Sequence, residues 1–420
     1  MSDERRAPGL RLVLALWLGL ALAVALRTVV RPESHTIFPL LSAASAHWWH
    51  DQPLYVDYRP LDYFRYPPVF AVAFTPLALL GLTLGGIVWT WLGMLVYALG
   101  LWRFLRDVAP GKWTPGRRAL FFALGAIGGL RGFWNAQSNA LAIGLVLLGV
   151  SAWVRRRWWP CAWLLAAAVA LKFTPLTIAL LLCALCPRPL APRLGLALLV
   201  FFALPFLTRS PGVVAWHYSE WVEHLAGSSR DRWPGFRDAW TVCQVVSRQA
   251  AELSGIPWLR EPVDSPVYKA VQLLTALAVL LWCLHQGRRC GDRGTLATLT
   301  LAMGTAWLML FGPAAEFATY VFLAPALSWA AVQGFSWKPG RALLAPSLVL
   351  IFVLGWGVLT EPFLDAVPWL LLPLPIGTSL FTLWLIASTP RLRNAHGGAR
   401  ADRLALLVTK DERVPRELAA

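Results

Sequence analysis

Charge is what this sequence has least of. Only 14% of its 420 residues are Asp, Glu, Lys or Arg, against about 25% in an ordinary soluble domain. Beside 57% hydrophobic residues, that deficit excludes a soluble globular chain. Cysteine is scarce too. Of the six, Cys161, Cys183, Cys186, Cys283 and Cys290 fall in or beside apolar runs. Cys243 is left in a predicted outer loop without an obvious partner, which excludes a disulfide-stapled extracellular scaffold. Cys183 and Cys186 form a CxxC pattern, but no histidine or second pair accompanies it, so it reads as packing rather than metal or redox chemistry. The chain has no P-loop, GxGxxG, HExxH or DxD-type motif and no repeat of about 20–50 residues. No metal and no cofactor are therefore expected.

What the sequence does have is apolar runs, recurring from residue 12 to residue 386. A crossing takes roughly 20 residues. Candidate spans are about 12–30, 84–104, 119–134, 139–154, 160–172, 174–187, 193–207, 266–284, 295–311, 317–334, 342–359 and 367–386. The reading is an all-α polytopic membrane protein with about 12 helices, in a range of 9–13, because several middle runs are short. Arg5 and Arg6 precede a first run long enough to span, so an uncleaved first helix is expected. With the N-terminus inside and alternation thereafter, about two-thirds of the 38 Lys and Arg fall on inner segments, while the acids run the other way. Both termini are then cytoplasmic. The net charge of +16 follows from this flanking pattern, and nucleic acid is not an expected partner.

A single transmembrane domain over residues 1–390 and a basic cytoplasmic tail over 391–420 describe the organisation. Two large outer loops, about 31–83 and 208–265, interrupt the spans. The first holds an amphipathic stretch, HTIFPLLSAASAHWWHDQPLY, that could lie in the interface with Trp48 and Trp49 at headgroup depth. It continues into LDYFRYPPVF and the proline-broken segment 67–82.

A polar residue at membrane depth costs about 2.5–3.5 kcal/mol on insertion scales, so each needs a reason. The first loop offers His35 and Asp62 as general bases and Arg65 as an anion ligand, or else a solvated rim. Asn135, Gln137 and Asn139 sit between two short spans, where amides gather sugar hydroxyls or tie helices together. Lys172, in LKFTPL, interrupts a membrane run beside Pro175 and suits a phosphate or carboxylate. Glu316 stands at a Gly-Pro break with Tyr320 one turn on, in FGPAAEFATY, as a polar site or a structural ion pair. Arg237 follows a Trp-Pro-Gly turn in the second loop.

The order and spacing of AASAHWWHDQPLY, FRYPPVFAVAFTPLALL, NAQSNALAIGLVLLGVSAW and LAAAVALKFTPL resemble glycosyltransferase family 87, relatives of polyprenyl-phosphate-mannose-dependent α-mannosyltransferases with the GT-C fold. The resemblance is strongest over about residues 35–205. It implies an integral-membrane hexosyltransferase of the cell membrane. Such an enzyme moves a sugar, mannose foremost, from a polyprenyl-phosphate donor to a glycolipid, glycan or protein acceptor on the outer face. The family's early aspartate falls at Thr36 here, beside His35. Threonine is no base at neutral pH, which leaves His35, Asp62 or Glu33 for that role. On this reading Arg65, Lys172 and Arg237 bind the donor phosphate. Asn135, Gln137, Asn139, Glu316 and Tyr320 face sugar or acceptor. A transporter or flippase of lipid-linked or small polar substrates is the competing reading, since polar groups at broken spans serve it as well.

Overall fold

The computed structural model describes residues 8–33, 37–59, 61, 63–227, 237–255, 265–312, 315–336, 338–355, 363 and 367–411. His35, Thr36 and Asp62 lie outside the described residues. The described elements are helical, in the order α1 (Pro8–Val30), α2 (Phe38–Trp49), α3 (Pro68–Ala78), α4 (Gly81–Asp107), α5 (Pro115–Trp134), α6 (Asn139–Val154), α7 (Trp158–Leu171) and α8 (Leu176–Leu185). Then follow α9 (Pro187–Ala203), α10 (Pro211–Gly227), α11 (Ala239–Ser254), α12 (Ser265–Arg289), α13 (Arg293–Phe311), α14 (Ala324–Gln333), α15 (Lys338–Val349) and α16 (Pro373–Asp411).

Each of the twelve expected spans carries helix, but among the described residues five helices are long and apolar enough to cross a membrane. They are Gly9–Val30, Gly81–Asp107, Pro187–Leu207, Val267–Arg289 and Arg293–Phe311. α3, α6, α7 and α8 are apolar and shorter. Their length is cut by local chemistry. α7 stops where Lys172 turns extended, and α8 starts only after Pro175, because a residue before proline is pushed out of the helical region. α6 and α13 are apolar nearly all round and buried along most of their length, as a helix without a polar face must be.

Two segments differ from their sequence reading. Residues 317–334 are not one helix: Phe317–Phe322 is a 3₁₀ turn, and α14 begins only at Ala324. The basic tail begins as a continuation of α16, helical as far as Asp411.

The main core is built on α4, α6, α7, α8 and α13. α4 and α6 form the most extensive helix pair, because glycines face each other: a Cβ on Gly100 would lie 2.7 Å from the Gly144 carbonyl oxygen. α1 lies on the outside of this core with most of its length exposed. Indole N–H bonds hold it, from Trp17 to the Phe122 carbonyl (3.3 Å) and from Trp91 to the Ala21 carbonyl (3.0 Å). The Arg27 guanidinium adds a bond to the Trp134 carbonyl.

A second core joins α2 and α3 to Trp89 and to Val214 of α10. Here the expectation of Trp48 at headgroup depth is corrected, while Trp49 stays exposed. Trp48 is 1% exposed, and its indole N–H donates to Thr208 Oγ1 at 3.1 Å. An amphipathic helix buries its apolar stripe in lipid or under protein with the same sequence pattern, and here α3 covers most of the stripe while α10 covers Trp48. His217 of α10 packs between Trp48 (5.3 Å between ring centroids) and Trp216 (4.6 Å). Burial lowers its pKa from 6.5 to about 4, with Asp51 opposing. Glu220, 3.8 Å from its Nδ1, is itself pushed toward the neutral acid by burial, so the contact is not an ion pair at neutral pH. The folded state binds this proton less well than the unfolded state does. The contribution of this group to stability is therefore full above pH 6.5 and is lost as pH drops toward 4. His217→Phe is expected to flatten that window in an unfolding-against-pH series. An unchanged acid slope would show that other groups set it.

Candidate active site

One end of the bundle collects the connections between α5 and α6, α7 and α8, and α13 and α14. The α5–α6 turn is tight. Ala136 adopts φ 51°, its carbonyl accepts from the Trp89 indole at 2.7 Å, and the Gln137 N–H donates to the Gly132 carbonyl at 2.9 Å. This turn places Asn139 at the first position of α6, fully buried.

Asn139 is the hub. Its Oδ1 accepts from Lys172 Nζ at 2.6 Å. Its Nδ2 donates to Gln137 Oε1 at 2.6 Å and to the Ala318 carbonyl at 3.1 Å. Three segments distant in sequence therefore meet on one amide. Beside them Arg65 Nη1 lies 3.6 Å from Glu316 Oε1, both side chains about one-third exposed. Arg65 and Glu316 both lie within electrostatic reach of the Lys172 ammonium. The partner hydrogen-bonded to Lys172 is a dipole, and the nearby carboxylate is matched to Arg65. Arg65 and Lys172 bring basic donors together at this end, which suits a phosphate.

The remaining residues singled out from sequence are placed differently. Arg237 is nearly fully buried. Its N–H donates to the Ala315 carbonyl at 2.7 Å, and its carbonyl accepts from the Tyr320 hydroxyl at 2.7 Å. Thr378 Oγ1 lies 3.5 Å from the same hydroxyl. Arg237 and Tyr320 thus bracket Glu316 and hold its segment. The backbone carbonyl of Asn135 accepts from Ile37 N–H at 2.9 Å, which ties the amide turn to the start of α2. His35 and Asp62 remain outside the described residues.

Four residues at this end escape a sequence reading. Ser138 donates to the Tyr66 hydroxyl at 3.2 Å. Trp221 donates to the Arg65 carbonyl at 3.3 Å. Arg131 lies 5.7 Å over the Phe317 ring. Tyr66, Ser138 and Arg131 sit inside the stretches that drew attention, FRYPPVF and RGFWNAQSNALAIG, so their signal was proximity to a cluster. Trp221 stands in the Trp-rich stretch AWHYSEWVEHL, but its contact with Arg65 spans 156 residues and left no signal.

Among groups of three or more His, Cys, Asp or Glu, none among the described residues could hold a metal ion. The chemistry on display is cationic and amide: it can hold an anionic group and hydroxyls at a helix-bundle end.

No curated protein matches the chain. The crystal structure of ArnT from Cupriavidus metallidurans bound to undecaprenyl phosphate is similar at 15% identity and a TM-score of 0.39, over 96% of this chain and 81% of that one. The model of glycosyltransferase family 87 matches residues 64–313. That match covers more than half of the chain and takes in Arg65, the amide turn, Lys172 and Arg237: the chain belongs to glycosyltransferase family 87.

Proposed function

We propose that this membrane glycosyltransferase transfers a hexose, mannose foremost, from a polyprenyl-phosphate-sugar donor to a glycolipid, glycan or protein acceptor on the outer face of the cell membrane. The observation that carries the reading is the Lys172–Asn139–Gln137 chain set against the Arg65–Glu316 pair at one end of the bundle. In the proposed reaction the acceptor hydroxyl attacks the anomeric carbon and gives its proton to a base, His35 or Asp62. The bond from that carbon to the donor phosphate oxygen breaks, and its electron pair leaves on the phosphate. Negative charge grows at the phosphate as the bond lengthens, and Lys172 with Arg65 meets it there. A lipid phosphate is already a competent leaving group, so no second acid is required. Gln137 orients sugar hydroxyls, and the buried Asn139 positions Gln137 and Lys172. Arg237 and Tyr320 hold the Glu316 segment in place.

Purified protein in lipid, given radiolabelled polyprenyl-phosphate-mannose and a membrane glycolipid extract, is expected to move label to an acceptor. Either His35→Ala or Asp62→Ala is expected to abolish the transfer and so identify the base. Silence with mannose, glucose and arabinose donors alike, with label crossing between leaflets instead, would give the protein to the transporter class.

A further inference from the structure

The opposite end of the bundle carries a second basic feature that sugar transfer does not use. A depression of about 620 Å³ opens there where the ends of α6, α8 and α12 meet the starts of α7, α9 and α13, and Arg156, Arg288 and Arg293 line it. We propose that this depression binds the phosphodiester headgroup of an anionic phospholipid, with an acyl chain lying along α12.

Three observations converge. The first is charge without local neutralisation. Among the described side chains, the carboxylates at this end are Asp107 and Asp292. Asp107 is engaged by Arg103, Arg106, Arg155 and Ser151. Asp292 caps α13 by accepting from the Thr295 N–H (2.6 Å) and hydroxyl (2.8 Å). Arg293 donates to Cys186 Sγ at 3.4 Å, and neither of these carboxylates is engaged by the three lining arginines.

The second is preorganisation. The Arg293 guanidinium carbon lies 4.3 Å over the Trp153 ring and 5.2 Å over Trp158, so stacking fixes its plane before any anion arrives. Arg156 stands in a left-handed backbone conformation, φ 57°, which favours glycine.

The third separates a lipid from a soluble anion. Leu274, Leu277 and Leu281 are 66%, 51% and 57% exposed and continue at helical spacing to Leu284, which lines the depression. This apolar rail on α12 leads straight to the arginines. A free phosphate has no use for it, whereas a lipid tail does. Basic pockets between membrane helices take anionic headgroups on the same grounds.

The test uses the full-length protein purified in a zwitterionic detergent, with retained lipid counted by native mass spectrometry. Phosphatidylglycerol, phosphatidylcholine and inorganic phosphate are offered separately. Phosphatidylglycerol is expected to be retained by the wild type well above phosphatidylcholine. Arg156→Gln with Arg288→Gln leaves the stacked Arg293 in place. It is expected to weaken that retention on the order of tenfold or more, at about fivefold per basic side chain. Lys112→Gln with Arg117→Gln removes an equal charge from exposed positions at the same end but away from the depression, and is expected to retain lipid as the wild type does. Equal retention by the double variant would overturn the proposal. So would competition by millimolar inorganic phosphate that is as effective as phosphatidylglycerol, since that describes a soluble-anion site. A double variant whose thermal unfolding midpoint matches the wild type in lipid-free detergent certifies that lost retention is lost binding.

Discussion

Lys172→Met is expected to lower sugar transfer on the order of 10²–10³-fold, the usual loss when one oriented group is removed from a developing negative charge in a low-dielectric site. Methionine keeps the length and apolar stem of lysine and discards the charge. Asn139 retains its bonds to Gln137 and to the Ala318 carbonyl, so the turn that begins α6 keeps two of its three anchors. The loss should fall on kcat more than on KM, because the charge that Lys172 meets grows only as the donor bond breaks. Arg65→Gln should cost less, since Arg65 is shared with Glu316. Arg248→Gln, an exposed arginine on α11, should leave transfer unchanged. Steady-state kinetics on purified variants in lipid decide the matter. A Lys172→Met enzyme within twofold of wild type, or one whose activity merely tracks its folded fraction, removes Lys172 from the phosphate site.

Gly144→Ala is expected to destabilise the fold by about 2–3 kcal/mol, at the upper end for overpacking. A Cβ at Gly144 would sit 2.7 Å from the backbone of Val96 and Tyr97. Backbone cannot rotate aside as a side chain can, so α4 and α6 must separate along their shared face. Close glycine contacts are how membrane helices gain packing when lipid offers no hydrophobic drive between them. α6 carries Asn139 at its first turn, so the displacement should also lower transfer in the molecules that fold. Gly19→Ala is the matched control, because nothing lies within 4 Å of its added Cβ. Thermal unfolding of both variants, with transfer measured at low temperature, separates the two effects. A Gly144→Ala protein with wild-type midpoint and rate would show that this interface yields freely.

Hydropathy made the helical segments legible, since each apolar run became helix. The lysine and proline that separate α7 from α8 were visible too. What stayed hidden was the path between runs. Nothing local in FATYVF distinguishes a 3₁₀ turn from the first turn of a span. The turn is held by an amide from residue 139 and a backbone from residue 237, and such long-range bonds leave no periodicity. Trp48 was misplaced for a related reason, as its pattern does not say whether lipid or α10 will cover it. Within the site, the pairing of Lys172 with Asn139 could not be read from either motif alone. The sign of the charge could, because a lysine beside a proline break in a membrane run is seldom without a partner.

The exposed position of α1 has a consequence for how the protein is made. Its fixing bonds reach residues 91, 122 and 134, none of which exists when the first helix leaves the ribosome. At about 5–20 residues per second, on the order of ten seconds pass before α5 is complete. Until α4 brings Trp91 the helix resides in the bilayer as a lone tenant, and until α5 follows it lacks its other two bonds. With few of its residues committed to protein contacts, it loses little by waiting. The bundle is thus assembled by later arrivals docking onto a segment that the membrane alone already supports.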